Sequence, residues 1–210
     1  MEFQYKGLHG RLEPVEVSRE EIERNVQSLL RSDTSLADTP ALHTQVAQSL
    51  RDYYRERAEA DLQDTLIRQA AQTLDYEPTA EAVAQAAQQQ LAELTAQLSV
   101  RNLTLEAYLQ FSSTSREQLV ADMEADARQV LKVRAAIARI AALEGVEAEE
   151  EELAAALADT CRRSGVTAQQ LTDAYGDDLP AILHESVVQR KVLRLVRELA
   201  QVEEVPLRKN

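Results

Sequence analysis

Residues 41–75 read ALHTQVAQSLRDYYRERAEADLQDTLIRQAAQTLD, and this stretch decides the fold. Leu42, Val46, Leu50, Tyr54, Ala58, Leu62, Leu66, Ala70 and Leu74 recur every fourth residue without a miss. Side chains four apart share one face of an α-helix, so the spacing predicts an amphipathic helix. Neither Gly nor Pro interrupts it. Thr39-Pro40 opens it, with proline at the first helical position, where its missing N–H costs nothing. Glu77-Pro78 stops it. At 1.5 Å per residue the helix is about 50 Å long, against a usual mean of about 12 residues. A helix of that length is expected to project. Strict four-residue spacing also drifts around a 3.6-residue helix, so the apolar stripe winds.

The composition agrees with a helical reading. The chain has 210 residues, with Ala 32, Leu 28, Gly 5, Pro 5 and Trp 0. Ala, Leu, Glu, Gln and Arg lose least free energy in a helix. Sandwiches and barrels need frequent turns and β-branched or aromatic strands, and are excluded on these numbers. The formal net charge is −13. That balance speaks against a nucleic-acid binder, which needs Lys and Arg to displace counterions. No stretch approaches the roughly 20 apolar residues of a membrane span. The first residues hold no apolar run of secretory length. The expected compartment is the cytoplasm.

Outward from the long helix, the chain predicts helices on both sides. Upstream, residues 3–17 are the only stretch that reads as extended, broken by Gly7, Gly10 and Pro14. Ser18 with Glu21 forms a capping box and starts a first helix to about Arg31. Downstream, a helix over about 79–99 is expected to return against the long one as an antiparallel hairpin, with Val83, Ala87, Leu91, Leu94 and Leu98 on its face. A short amphipathic helix covers Leu103–Phe111. Thr114 with Glu117 forms a second capping box, before a long helix over about 115–144 that Gly145 ends. Helices follow over 149–163, from Thr167 to Tyr175, and over about 180–203, with Gly165 and Gly176 as stops. The expected fold class is all-α, an elongated helical body with a long projecting helical hairpin. The expected division is an extended segment at 1–17, the first helix and arm hairpin at 18–100, a helical body at 101–205 and a tail at 206–210.

Catalytic constellations are missing from the sequence. His9, His43 and His184 are scattered, with no second ligand at metal spacing, so each reads as a surface or packing residue. Cys161 falls on a stripe with Leu153 and Leu157 and reads as a small buried hydrophobe. No GxGxxG, GxxxxGK[ST] or GxSxG is present, and no cofactor or metal is expected. Glu149 to Glu152 form an acidic run that complements a helix N-terminus. Arg190, Lys191, Arg194 and Arg197 crowd the last helix, where they pair with acidic surface or meet the negative end of the dipole.

The order of segments from Leu103 to Val205 resembles the C-terminal domain of trigger factor, a family of bacterial ribosome-associated chaperones. The match is carried by Leu103-Thr104-Leu105-Glu106-Ala107-Tyr108-Leu109 and by Ser115-Arg116-Glu117-Gln118-Leu119. Val133 to Ala141, Glu144-Gly145-Val146-Glu147, Glu151-Glu152-Leu153 and Val188 to Leu193 continue it. Upstream, Leu74-Asp75-Tyr76-Glu77-Pro78 resembles the family's turn into its second arm helix. Tyr5-Lys6-Gly7-Leu8 and Pro14-Val15-Glu16-Val17-Ser18 resemble the linker that leads to its prolyl-isomerase domain. The family's ribosome-binding and isomerase domains have no counterpart in these residues. The sequence therefore carries no expectation of prolyl-isomerase activity or of direct ribosome docking.

The resemblance implies an ATP-independent holdase for unfolded or nascent polypeptides. Rival readings are a helical adaptor for one partner, a survival-factor-type periplasmic chaperone, and a family relative that carries the isomerase label without the domain. A homodimer is left open; nucleic acid and membrane are not expected partners. The candidate peptide-binding residues are Leu42, Val46, Leu50, Tyr53, Tyr54, Tyr76, Leu91, Leu98, Tyr108 and Phe111, on the inner faces of hairpin and body. They are large apolar or amphipathic residues on extended elements. Tyrosine suits a promiscuous surface, since its ring packs on many shapes while its hydroxyl tolerates water.

Overall fold

A computed structural model describes residues 3–205. The expected tail at 206–210 and the first two residues of the N-terminal segment lie outside the described residues. About three quarters of the chain is helical. In order, the elements are β1 (His9–Leu12), α1 (Arg19–Ser32), α2 (Pro40–Thr73), α3 (Ala80–Val100), α4 (Leu105–Ser112), α5 (Arg116–Glu144), α6 (Glu150–Ser164), α7 (Ala168–Tyr175), α8 (Leu179–Leu199) and β2 (Gln201–Glu204). A single 3-10 turn, Gly176–Asp178, joins α7 to α8.

Local chemistry sets most of these boundaries. The Ser18 hydroxyl accepts from the Glu21 amide at 3.1 Å and starts α1. Thr39 Oγ1 accepts from the Leu42 amide at 3.3 Å beside Pro40, the first residue of α2. α2 then runs unbroken for 34 residues. Glu149 with Glu152 and Thr167 with Gln170 form reciprocal capping boxes on α6 and α7. Gly145 and Gly165 take φ of 64° and 68° at the ends of α5 and α6. One cap moves by a residue: Ser115 rather than Thr114 caps α5, accepting from Gln118 N at 3.1 Å. The Thr114 hydroxyl donates back to the Ser112 carbonyl instead.

The chain divides into two compact units, and the division passes within α2 and within α8. The smaller unit holds residues 6–66 and 196–205. Its core is Leu8, Val26, Val46, Ala47, Leu62, Leu66 and Val196. Here β1 and β2 pair in parallel, His9 opposite Gln201 through Leu12 opposite Glu204. The last helix was expected to reach about residue 203. It stops at Leu199 because the following backbone is taken by the N-terminal segment: Gly7 N donates to Leu199 O at 3.0 Å, Gln201 N to Leu8 O at 2.8 Å and Val205 N to Leu12 O at 3.0 Å. A second extended stretch therefore exists beyond residues 3–17. Arg197 and Glu59 add a two-point charge-assisted contact at 2.9 and 3.0 Å.

The larger unit holds residues 3–5 and 67–195. Ile67, Ala70, Val83, Ala87, Ala136, Ile140 and Val192 lie in its core. From the sequence, α3 is expected to zip onto α2, but α3 packs most extensively against α5. Both present alanine at buried positions, Ala87 on α3 and Ala127 and Ala136 on α5. Small side chains let helix axes approach at the short end of the usual 8–10 Å range, which explains the pairing. The N-terminal residues are tied here by Tyr5, whose hydroxyl donates to Glu144 at 2.6 Å, and by Gln4 N on Thr73 Oγ1 at 2.9 Å.

Candidate functional site

The ten candidate residues fall five to each unit. Leu42, Val46, Leu50, Tyr53 and Tyr54 lie on the part of α2 in the smaller unit. The four-spaced stripe is covered. Val46, Leu62, Leu66 and Ala70 are buried and the other five positions are half-buried. Tyr53 stands off the stripe and is 56% exposed. Its ring meets that of Tyr54 edge-on, with centroids 5.4 Å apart. Tyr54 is occupied differently: its hydroxyl donates to the Glu21 carboxylate of α1, which pushes the phenol's pKa up. Tyr54 thus ties α1 to α2, while Tyr53 faces solvent.

In the larger unit, Leu98 is buried and Leu91 and Tyr108 are half-buried. Phe111, at the end of α4, is 92% exposed. Val100 at the end of α3 and Leu103 in the connection to α4, outside the ten candidates, are 86% and 47% exposed. Asn102 between them holds φ at 55°, a left-handed conformation that ends α3 and turns the chain. The visible signal was the Val-Arg-Asn-Leu run itself, with apolar residues flanking a turn former.

Tyr76, in the connection from α2 to α3, is 42% exposed. It borders a groove of about 470 Å³ whose floor is Leu131, Ile137 and Val188, from α5 and α8. Arg134 and Glu185 sit 3.9 Å apart on its rim beside His184. Only tertiary packing brings these residues beside Tyr76.

The remaining reactive side chains are placed without a constellation. His43 bridges Asp38 at 2.7 Å and Glu23 at 3.8 Å. Cys161 is half-buried. Among the described residues no group of three His, Cys, Asp or Glu could hold a metal ion, and no helix is long and apolar enough to cross a membrane.

Charge pairing gives the larger unit a pH dependence. Lys132 at 2.6 Å and Arg128 at 3.4 Å hold the Glu77 carboxyl below its ordinary value of 4.5. The Lys191 ammonium at 2.8 Å and the Glu149 amide do the same for Glu152. A carboxyl whose pKa is lower folded than unfolded stabilises the fold above its unfolded value. That contribution disappears as pH falls through the lower folded value. The thermal midpoint is therefore expected to hold near neutrality and to drop below about pH 4.5. The double variant Glu77→Gln/Glu152→Gln should lose less over the same interval, read by circular dichroism melts at several pH values. Equal acid loss in both proteins would remove these two pairs from the account.

The family described as bacterial trigger factor protein C-terminus matches residues 40–198 of this chain. The chain belongs to that family. Among curated relatives, the trigger factor of Lysinibacillus sphaericus is 25% identical over 172 residues, covering 82% of this chain and 40% of its own length. That of Alkaliphilus metalliredigens is 25% identical over 206 residues, 96% of this chain and 48% of its own. That of a Geobacillus species is 26% identical over 145 residues, 69% and 34% respectively. The chain thus spans less than half the length of these relatives.

Proposed function

We propose that this chain acts as an ATP-independent holdase that shields unfolded or nascent polypeptides, in the cytoplasm, without prolyl-isomerase turnover and without docking to ribosomes by itself. The observation that carries this reading is the set of large side chains left in solvent, above all Phe111, Val100 and Tyr53 on helices and Tyr76 in the connection from α2 to α3. Exposed apolar side chains mark interaction surfaces when several gather, and Val100, Leu103 and Phe111 are three such side chains within the twelve-residue run from α3 to α4. A net charge of −13 keeps such a surface soluble. Family membership supports the same reading.

The test is light scattering by several unrelated, chemically denatured proteins diluted into buffer without nucleotide. The wild-type chain is expected to suppress aggregation of more than one. Tyr53→Ser and Phe111→Ser together should remove most of that suppression with helix content retained, because both side chains stand in solvent. Tyr54→Ser should instead lower the melting temperature, since it cuts the tie to Glu21. Suppression of no client would turn the assignment to an adaptor for one partner. Full suppression by the Tyr53/Phe111 variant would move the client surface elsewhere.

A further inference from the structure

Four positive side chains in this acidic chain gather on α6 and α8 within the larger unit. α6 carries Arg162 and Arg163 near its C-terminal end, and α8 carries Lys191 and Arg190, the latter lining one groove with Arg163. Their commitments differ. Lys191 is used structurally, donating to Glu152 and to the Glu147 carbonyl, both at 2.8 Å. Asp159 takes Arg162 at 2.5 Å and Arg163 at 2.8 Å. Arg190 lies close enough to Asp159 and Glu152 for its charge to help hold both carboxyls below their ordinary values. Between the two helices runs a groove of about 450 Å³ lined by Asp159, Thr160, Arg163, Ser164, Ser186 and Arg190. Two guanidinium groups, one of them already on Asp159, thus share the groove with that single carboxylate, and of its three hydroxyls Thr160 and Ser164 donate to the Ala156 and Thr160 carbonyls.

We propose that this groove docks an acidic polypeptide segment, with Arg163 and Arg190 each pairing with a carboxylate of the partner. Planar guanidinium forks match carboxylates and are the usual residues for such recognition. Nucleic acid fits less well. It needs a longer run of cations to release counterions and aromatic faces for stacking, and the groove lining has neither. The proposal is independent of the apolar client surface, since none of its residues contributes to that surface.

The experiment is fluorescence anisotropy of a labelled deca-glutamate peptide titrated with the full chain at low salt. Saturable binding is expected, and it should vanish as salt shortens the reach of the charges. The variant Arg163→Gln/Arg190→Gln should weaken binding about tenfold, or about 1.4 kcal/mol. Arg24→Gln/Arg31→Gln on α1, with the same change in net charge, should leave it unchanged. The reversed pair Arg163→Glu/Arg190→Glu should bind deca-lysine in place of deca-glutamate. Absence of saturable binding overturns the proposal. So does equal weakening by the groove and α1 variants, or displacement by duplex DNA at lower concentration than by unlabelled peptide. If sedimentation shows that the groove variant loses only self-association, the occupant is a second copy and the proposal fails.

Discussion

Replacing Ile140 by alanine is expected to destabilise the larger unit by about 2–5 kcal/mol. Ile140 is fully buried on α5, one turn beyond the buried Ala136 and Ile137. The substitution removes three methyl or methylene carbons from a site closed on all sides. Its cost is the lost transfer free energy plus that of the residual cavity. The neighbouring alanines cannot swing in to fill the space, because alanine has no rotatable side chain. Val130→Ala on the same helix is the matched control. Val130 is 41% exposed, so its truncation should cost well under the Ile140 value. Urea unfolding followed by circular dichroism reads both. Equal midpoints for the two variants would show that Ile140 does not hold this core.

Gly10→Val is expected to destabilise the smaller unit by about 1–3 kcal/mol, through overpacking. Strand propensity argues the other way, since valine favours an extended backbone and glycine weakens it. The deciding fact is the space above Gly10 in β1. A β-carbon built there would lie 2.4 Å from Leu62 Cδ1 and 3.3 Å from Leu66 Cδ2. Both leucines are buried, 4% and 0% exposed, so their movement disturbs the core itself. Gly10→Val together with Leu62→Ala should recover part of the loss, because the second change opens the space the first requires. Stabilisation by Gly10→Val alone would mean that local propensity outweighs packing at this position.

Exposure among the apolar side chains divides along the same line between local and tertiary causes. Tyr53 and Tyr54 are adjacent and chemically alike, so a sequence offers no reason to separate them. α1 does so, by placing Glu21 against one hydroxyl and leaving the other ring in water. Val46 and Leu98 carry the same apolar character as Phe111, yet they are buried at 6% and 7% while Phe111 is 92% exposed. Which apolar residue is covered depends on what packs over it, and that partner is remote in the chain. The groove at Tyr76 has the same origin: its floor comes from α5 and α8, more than fifty residues away in each case.

The sequence by itself determined the helices and most of their ends. The four-residue stripe of α2, the Ser18 cap, the Thr167–Gln170 box and the stops at Gly145 and Gly165 all act within about one helical turn. Such interactions are set by neighbours along the chain and survive whatever the rest of the fold does. Tertiary structure alone decided where those helices went. It paired His9–Leu12 with Gln201–Glu204 across most of the chain, ended α8 at Leu199 and laid α3 on α5. It also set Arg163 across a groove from Arg190. Each of these closes a loop of many residues, so its free energy depends on every other contact formed at the same time and on no local pattern.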